Sequence, residues 1–256
     1  MGALVLAWPG AIAIGLSLGL LGSGGSILTV PVLVYLLGQP EKLAIAGSLA
    51  IVGTIAAFGS IPHIRAGQVH WRSVLLFGVP GMAGTWLGAW LSGYVSGAFQ
   101  LALFAVVMLV ASVLMLRPID CSAPVATPRA QWKVTVDGLL VGIVTGLVGV
   151  GGGFLVVPAL VLLGGLTMRR AVATSLVIIA LKSFSGFYKY LDLLATEGLA
   201  LDLDVLLLVS ALGIVGSLVG SVLAGRIPQE RLKKAFGVFL VVMGGFILVQ
   251  SVPALA

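Results

Sequence analysis

Long apolar runs, separated by short polar breaks, dominate the chain. A helix that crosses a bilayer needs about 20 apolar residues. Six runs meet this length, and they cover residues 43–62, 71–93, 98–116, 171–190, 203–225 and 232–252. The pattern predicts an all-α polytopic membrane protein.

Two further apolar runs are interrupted by glycines. The first covers residues 3–38 and is broken at Gly22-Ser23-Gly24-Gly25. As one helix it would be about 54 Å long at 1.5 Å per residue, well beyond a hydrocarbon core of about 30 Å. The second covers residues 138–165 and is broken at Gly149-Val150-Gly151-Gly152-Gly153.

The arms of the second broken run are short. Residues 138–148 and 154–165 would each reach only about 16–18 Å as a helix, roughly half of a membrane. Short arms around a glycine break predict a re-entrant hairpin with its tip near the midplane. Non-helical backbone is tolerated at that depth only where it is buried in protein or lines a watery cavity.

Each break is expected to lead into a short helix. These helices should start near Ser26 and near Phe154. Pro31 and Pro158 then fall in their first turns, where the missing N–H does little harm.

The composition excludes several classes of protein. Hydrophobic residues make up 60% of the chain and charged residues 9%, against about 25% charged residues in a typical soluble domain. A soluble enzyme, a nucleic-acid-binding module and a disordered tail are therefore excluded. The net charge of +6 is then assigned to basic loops at a cytoplasmic membrane face.

The two halves of the chain are similar to each other. Residues 19–59 align with 146–186 at an offset of 127, with 18 identities in 41 positions. Further along, the offset becomes 132, and four residues align with four: Gly84, Gly88, Gly93 and Phe104 with Gly216, Gly220, Gly225 and Phe236. Chance matching explains shared Leu and Val, but not a shared G-x-G-G with a proline six residues later. We expect two repeats, 1–116 and 138–256, joined by a polar linker, 117–137.

The basic residues distinguish two topologies. If neither hairpin crosses, each half crosses three times and the halves are inverted. Eleven basic residues then share one face, namely Arg65, Arg72, Arg117, Arg129, Lys133, Arg169, Arg170, Arg226, Arg231, Lys233 and Lys234, against Lys42 and Lys189 on the other. Eight simple crossings would give 7 against 6. The positive-inside rule favours inversion, with both termini outside and the linker cytoplasmic. If each hairpin arm crossed the membrane fully, the basic residues would lie on the same sides as in the inverted model.

Inverted repeats with matching interrupted helices are typical of secondary transporters with a site near the midplane. Helix N-termini carry unpaired N–H groups and partial positive charge, so two of them converging in a low dielectric would bind an anion. The predicted substrate-binding residues include both breaks and two nearby hydroxyls: Gly22, Ser23, Gly24, Gly25, Ser26, Thr29, Gly149, Gly151, Gly152 and Gly153. The alternative is that these glycines only permit close helix packing.

The next helix of each half adds further candidates. Ala44-x-Ala46-x-Ser48 repeats as Ala171-x-Ala173-x-Ser175, with Thr174 adjacent. Ser48, Thr174 and Ser175 are predicted to line the cavity, or else to bond to their own helices. Lys182 is the charged residue placed deep within a span, and it shares a helix face with Ser175. An intramembrane cation is a functional candidate, although a lysine can also snorkel to the interface.

The acidic residues all fall in loops or at the ends of the predicted spans. This argues against a cation pump, a carboxylate proton relay or an intramembrane enzyme. No metal site and no cofactor are expected. With the inside negative, moving one anionic charge outward across 100 mV is favourable by about 2.3 kcal/mol, so export of an anion needs no other coupling.

The paired segments GLLGSGGSILTVPVL and GLVGVGGGFLVVPAL, each followed by the A-x-A-x-S helix, resemble the sulfite exporter TauE/SafE family of membrane permeases. The resemblance covers almost the whole chain and implies transport of small sulfur-containing anions such as sulfite, sulfoacetate or other sulfonates. Ser26 stands where the second half has Gly153, a departure that bears on the substrate.

The sequence therefore predicts an inner-membrane anion exporter that is not an enzyme. Its expected partners are a small anion, the lipid bilayer and further copies of itself in a homo-oligomer, but not nucleic acid. Two alternatives stay open, an anion channel on the same frame and a non-transporting membrane assembly factor.

Overall fold

The computed structural model of the protein describes residues 2–116, 131–149 and 153–251. The predicted site residues Gly151 and Gly152, and residues 117–130 of the predicted linker, lie outside the described residues. Within these residues, ten helices follow one another in chain order: α1 Gly2–Leu21, α2 Gly24–Pro31, α3 Glu41–Arg65, α4 Trp71–Ser92, α5 Gly97–Leu116, α6 Gln131–Val148, α7 Gly153–Pro158, α8 Met168–Glu197, α9 Leu203–Ala224 and α10 Gln229–Ser251.

The prediction of an all-helical protein with several membrane helices is confirmed. Five of the described helices are long and apolar enough to cross a bilayer: α3, α4, α8, α9 and α10. The predicted span 98–116 is a helix as well, α5, whose Gly97–Val113 portion is one of three shorter apolar helices together with Trp8–Leu21 and Gly24–Leu36. Each apolar run of the sequence thus became a helix or a helix pair.

In the glycine-broken runs, three helix starts differ from the sequence prediction. α6 begins at Gln131, seven residues before the predicted arm, so it is about 27 Å long at 1.5 Å per residue. The polar residues ahead of Gly138 therefore continue the helix. α2 begins at Gly24 and α7 at Gly153, slightly earlier than the expected starts. Whether the hairpins re-enter stays a prediction.

The expected position of the two prolines was wrong. Pro31 and Pro158 are the last α-helical residues of α2 and α7 rather than members of their first turns. Each is followed by a π-helical turn, Val32–Leu36 and Ala159–Leu163. A proline has no N–H to donate to the fourth preceding carbonyl, and a wider turn is one way to continue the helix past it.

α3 and α8 form the centre of the molecule. In their most apolar windows 78% and 67% of the residues are buried, against 44% or less in α4, α9 and α10. α3 packs on α8, and the two also contact α9 and α4 respectively. The helix that carries the A-x-A-x-S sequence in each half is therefore the one most enclosed by protein.

Contacts between the halves come in matched sets. α1 lies against α9, and α6, the equivalent of α1, lies against α4, the equivalent of α9. The equivalent helices α5 and α10 pack on each other, as do α2 and α7. The glycine-broken helix pair of each half, α1–α2 or α6–α7, therefore packs against helices of the other half.

Glycine contacts give the relative directions of these helices. Gly15 faces the Gly213 backbone and Gly19 faces Ser217, so α1 and α9 run in the same direction. In contrast, Gly53 faces Ser183 and Gly186 faces Leu49, so α3 and α8 run in opposite directions. Small residues let these backbones approach closely.

Candidate functional site

The two glycine breaks have the same backbone conformation. Gly22 has φ +72° and Gly149 has φ +71°, both in the left-handed region that a side chain disfavours. Both follow directly on a helix, α1 and α6. The break in each half is therefore a helix end closed by a left-handed glycine.

A serine from the opposite half binds each break. The Ser175 hydroxyl donates to the Gly22 carbonyl oxygen at 3.1 Å, and the Ser48 hydroxyl donates to the Gly149 carbonyl oxygen at 2.9 Å. Each hydroxyl has a single proton, which it shares with a carbonyl oxygen of its own helix at 2.8 Å. The structure thus brings four predicted site residues together, in two equivalent pairs.

The tips of the two hairpins meet at Ser23 and Gly153. A Cβ built on Gly153 would lie 2.9 Å from the Ser23 Cβ and 2.7 Å from the Ile179 Cδ1. Ser23 is fully buried at the N-cap of α2, and its Oγ has no hydrogen-bond partner among the described residues. A buried hydroxyl without a partner is costly, so Ser23 is a candidate ligand contact.

Other predicted hydroxyls are already engaged. Ser26 donates to the Ser23 carbonyl at 2.7 Å and Thr29 donates to the Gly25 carbonyl at 2.7 Å. Thr174 accepts from the His70 backbone N–H at 3.0 Å. In this conformation Ser26 and Thr29 bond their own backbone.

Gly24 and Gly25 are packed against α1. A Cβ on Gly25 would lie 2.8 Å from the Leu18 Cβ, and one on Gly24 would lie 3.0 Å from the Ser17 carbonyl oxygen. Their lack of a side chain lets α2 fold back closely on α1. These two glycines therefore allow close packing of α2 on α1, whether or not their N–H groups also bind a ligand.

Lys182 is enclosed by protein near the middle of α8. Its side chain is fully buried, and Nζ has no hydrogen-bond partner among the described residues. A Cβ on Gly81 would lie 3.1 Å from the Lys182 Cδ. In the other half, Ile55 takes the matching position, and its Cγ1 would lie 2.9 Å from a Cβ on Gly213. The lysine stem therefore packs as an isoleucine does, and the ammonium group is what distinguishes the two halves.

Sequence reasoning missed further buried polar residues. Ser183 is fully buried beside Gly53, and its Oγ has no partner among the described residues. Asp137, which was assigned to the linker, lies in the second turn of α6 with Oδ2 buried. Ser183 follows Lys182 directly, so a search for polar residues inside the predicted spans would have found it.

The comparisons with known proteins identify the family of the chain. The family model described as Sulfite exporter TauE/SafE matches residues 7–247. The chain belongs to the TauE/SafE sulfite exporter family. The resemblance seen in the doubled glycine segments is thereby confirmed.

Relatives of the TauE/SafE chain come from distant organisms. A protein of Xylella fastidiosa is 31% identical over 250 residues, which cover 93% of this chain and 92% of the relative. A protein of Methanocaldococcus jannaschii is 25% identical over 259 residues, covering 95% and 96%, and one of Haemophilus influenzae is 26% identical over 249 residues, covering 91% and 93%. All three are named as probable membrane transporter proteins. No solved structure matches the chain.

Family membership places this TauE/SafE chain among integral membrane transporters and permeases, which are not enzymes. A transporter acts on a substrate and is surrounded by lipid.

Proposed function

We propose that the protein is a secondary transporter that exports small sulfur-containing anions, such as sulfite or organosulfonates, across the inner membrane. The observation that carries the proposal is the buried ammonium group of Lys182, which has no partner among the described residues. A cation in a low-dielectric interior is costly unless an opposite charge accompanies it. A transported anion supplies that charge when it is bound.

The proposed site lies where the hairpins meet. Ser23 offers a buried hydroxyl at the start of α2, where unpaired N–H groups and the helix dipole favour an anion. Gly153 faces Ser23 from the other half. Gly153 also faces Ile179 of α8, the helix that carries Lys182. The two serine bonds to Gly22 and Gly149 hold the breaks in position rather than binding the anion themselves.

Inverted halves suit this mechanism. The opposite directions of α3 and α8, which are equivalent helices, and the matched contacts between halves support the inverted arrangement. Alternating access would come from movement of part of each half against the rest around a fixed site. We place both termini outside and the linker 117–137 on the cytoplasmic side, as the positive-inside rule favours.

The outward direction follows from the membrane potential. An anion leaving a negative interior gains about 2.3 kcal/mol per charge per 100 mV. The match to a family described as sulfite exporters supports sulfite as the first substrate to test.

Counterflow in proteoliposomes tests the proposal. Purified protein should take up labelled sulfite or sulfoacetate with a saturable rate, faster when unlabelled anion is present inside. Flux that does not saturate and is not stimulated by internal anion would favour a channel instead. Absence of flux for every anion tested would overturn the transport proposal and favour a membrane assembly factor.

A further inference from the structure

A cavity of about 240 Å³ opens at the end of the molecule where α3 ends and α8 begins. Its polar lining comes from His63, Gln68, Arg169 and Ser221, while Val172 and Leu232 contribute apolar surface. The lining contains no carboxylate among the described residues. This end is the one that the charge distribution assigns to the cytoplasm.

The polar groups of this cavity favour an anion. An Arg169 guanidinium nitrogen donates to the Gly225 carbonyl oxygen at 3.1 Å, which fixes the side chain across the cavity. His63 Nδ1 pairs with Gln68 Oε1 at 2.8 Å, whereas Nε2 is buried without a partner among the described residues. The Gln68 amide can turn to donate to Nδ1, and the imidazole then carries its proton on Nε2.

The cavity adjoins the first glycine break. Val172 lines the cavity, and a Cβ built on Gly22 would lie 2.8 Å from the Val172 Cα. Val172 therefore separates the cavity from the Gly22 break.

The opposite end of the molecule differs at the equivalent positions. His63, Ala224 and Leu232 correspond to Tyr190, Ser92 and Gln100, all fully buried. The Gln100 amide donates to the Ser92 carbonyl oxygen at 3.4 Å, and the Tyr190 hydroxyl donates to the Gly146 carbonyl oxygen at 3.3 Å. At this end, buried polar side chains take the positions that line the open cavity at the His63 end.

A second cavity, of about 210 Å³, lies outside this filled region. Its basic residue, Lys189, is paired with Asp192 at 2.9 Å. The two ends therefore differ in charge as well as in shape, since the described lining at the Arg169 end holds no carboxylate.

We propose that the cavity lined by His63, Gln68 and Arg169 is a second anion site, at which the transported anion is loaded before it reaches the hairpin tips. This inference rests on the proposed function. A charged cleft raises the local concentration of its ligand and the association rate about tenfold or more, so the site should act on the apparent affinity and not on the maximal rate.

Transport by Arg169→Gln tests the role of the cavity. In proteoliposomes this variant should raise KM for sulfite about tenfold and leave the maximal rate unchanged. Arg170→Gln is the matched control, since it removes the same charge from the next residue, which does not line the cavity. Equal KM values for the two variants and the wild type would overturn the loading site while leaving the transport proposal intact.

Binding can be measured without transport. In a Cys121→Ser background, labelling of Ala66→Cys, which lines the cavity, should be slowed by sulfoacetate, which does not react with thiol reagents, whereas labelling of Ala200→Cys should not. The protection should persist in Lys182→Ile, which removes the central cation. Protection without any flux by the wild type would support the cavity site and reject the transporter. Flux without protection would reject the cavity site alone.

Discussion

The Ser175 hydroxyl donates to the Gly22 carbonyl oxygen at 3.1 Å, across 153 residues of sequence. Ser48 makes the equivalent bond to Gly149 at 2.9 Å. Each hairpin break is thus held by the central helix of the other half. When one half moves against the other, these two hydrogen bonds must either stay intact or be replaced by bonds to other partners.

Removing one of these hydroxyls should loosen its break. Ser175→Ala leaves the Gly22 carbonyl without that donor, and we expect a loss of about 1 kcal/mol in unfolding free energy. Ser48→Ala should cost a similar amount. Unfolding of the purified protein in detergent, followed by circular dichroism, measures both.

Ser112→Ala is the control for both serine variants, because the buried Ser112 hydroxyl donates to Leu109 within its own helix. A Ser112→Ala effect as large as that of Ser175→Ala would show that the cross-half bond contributes nothing of its own.

Lys182→Ile should weaken anion binding while leaving folding intact. Ile55 shows that an isoleucine fits against a glycine at this position, so the variant should fold and melt at or above the wild-type temperature. Losing a buried charge partner should weaken anion binding about hundredfold. Titration calorimetry with sulfite measures this loss, with Ile55→Val as the control. If Lys182→Ile bound sulfite with wild-type affinity, the Lys182 ammonium group would have no part in anion binding.

Gly149→Ala should be far more harmful than Gly165→Ala. Both glycines have positive φ, so alanine costs about 1–2 kcal/mol of backbone strain at either position. At Gly149 the added Cβ would also overlap Ile45, whereas Gly165 has open space, and overpacking adds about 1–3 kcal/mol. Detergent unfolding of both variants checks the difference. Equal losses of unfolding free energy in the two variants would mean that the structure around Gly149 shifts to accept the added Cβ at no extra cost.

The sequence predicted the helices because apolar runs long enough to cross a membrane have few other stable structures. It missed the start of α6 because Gln131–Val148 opens with polar residues, which resemble a linker until the helix that they continue is known. Pro31 was misplaced because a proline after a break looks like a first-turn residue, whereas here it ends the α-helical turns.

The candidate site was predicted only in part. Repeat alignment identified Ser48, Ser175 and both breaks, because duplicated residues stand out against apolar sequence. It did not show that the serines bond across the halves, since contacts more than 100 residues apart leave no local periodicity. The cavity at Arg169 was missed for the same reason, because His63 and Arg169 come from different halves.

The inverted arrangement predicts that Arg72 and Arg170 lie on the same membrane face. Single cysteines replacing each, in a Cys121→Ser background, should both react with an impermeant thiol reagent only after the cytoplasmic side is opened. A cysteine in place of Lys189 should react with the same reagent when it is added only to the outer side. Labelling of positions 72 and 170 from opposite sides would contradict the inverted halves.

The central claim is that an oxyanion binds where the hairpin tips meet. Selenite resembles sulfite and scatters X-rays anomalously, so a crystal of the protein grown with selenite locates the anion directly. We predict an anomalous peak within about 3.5 Å of Ser23 Oγ, beside Gly153, that is lost in Lys182→Ile. Ordered selenite elsewhere in the protein, with no peak at Ser23, would contradict the account.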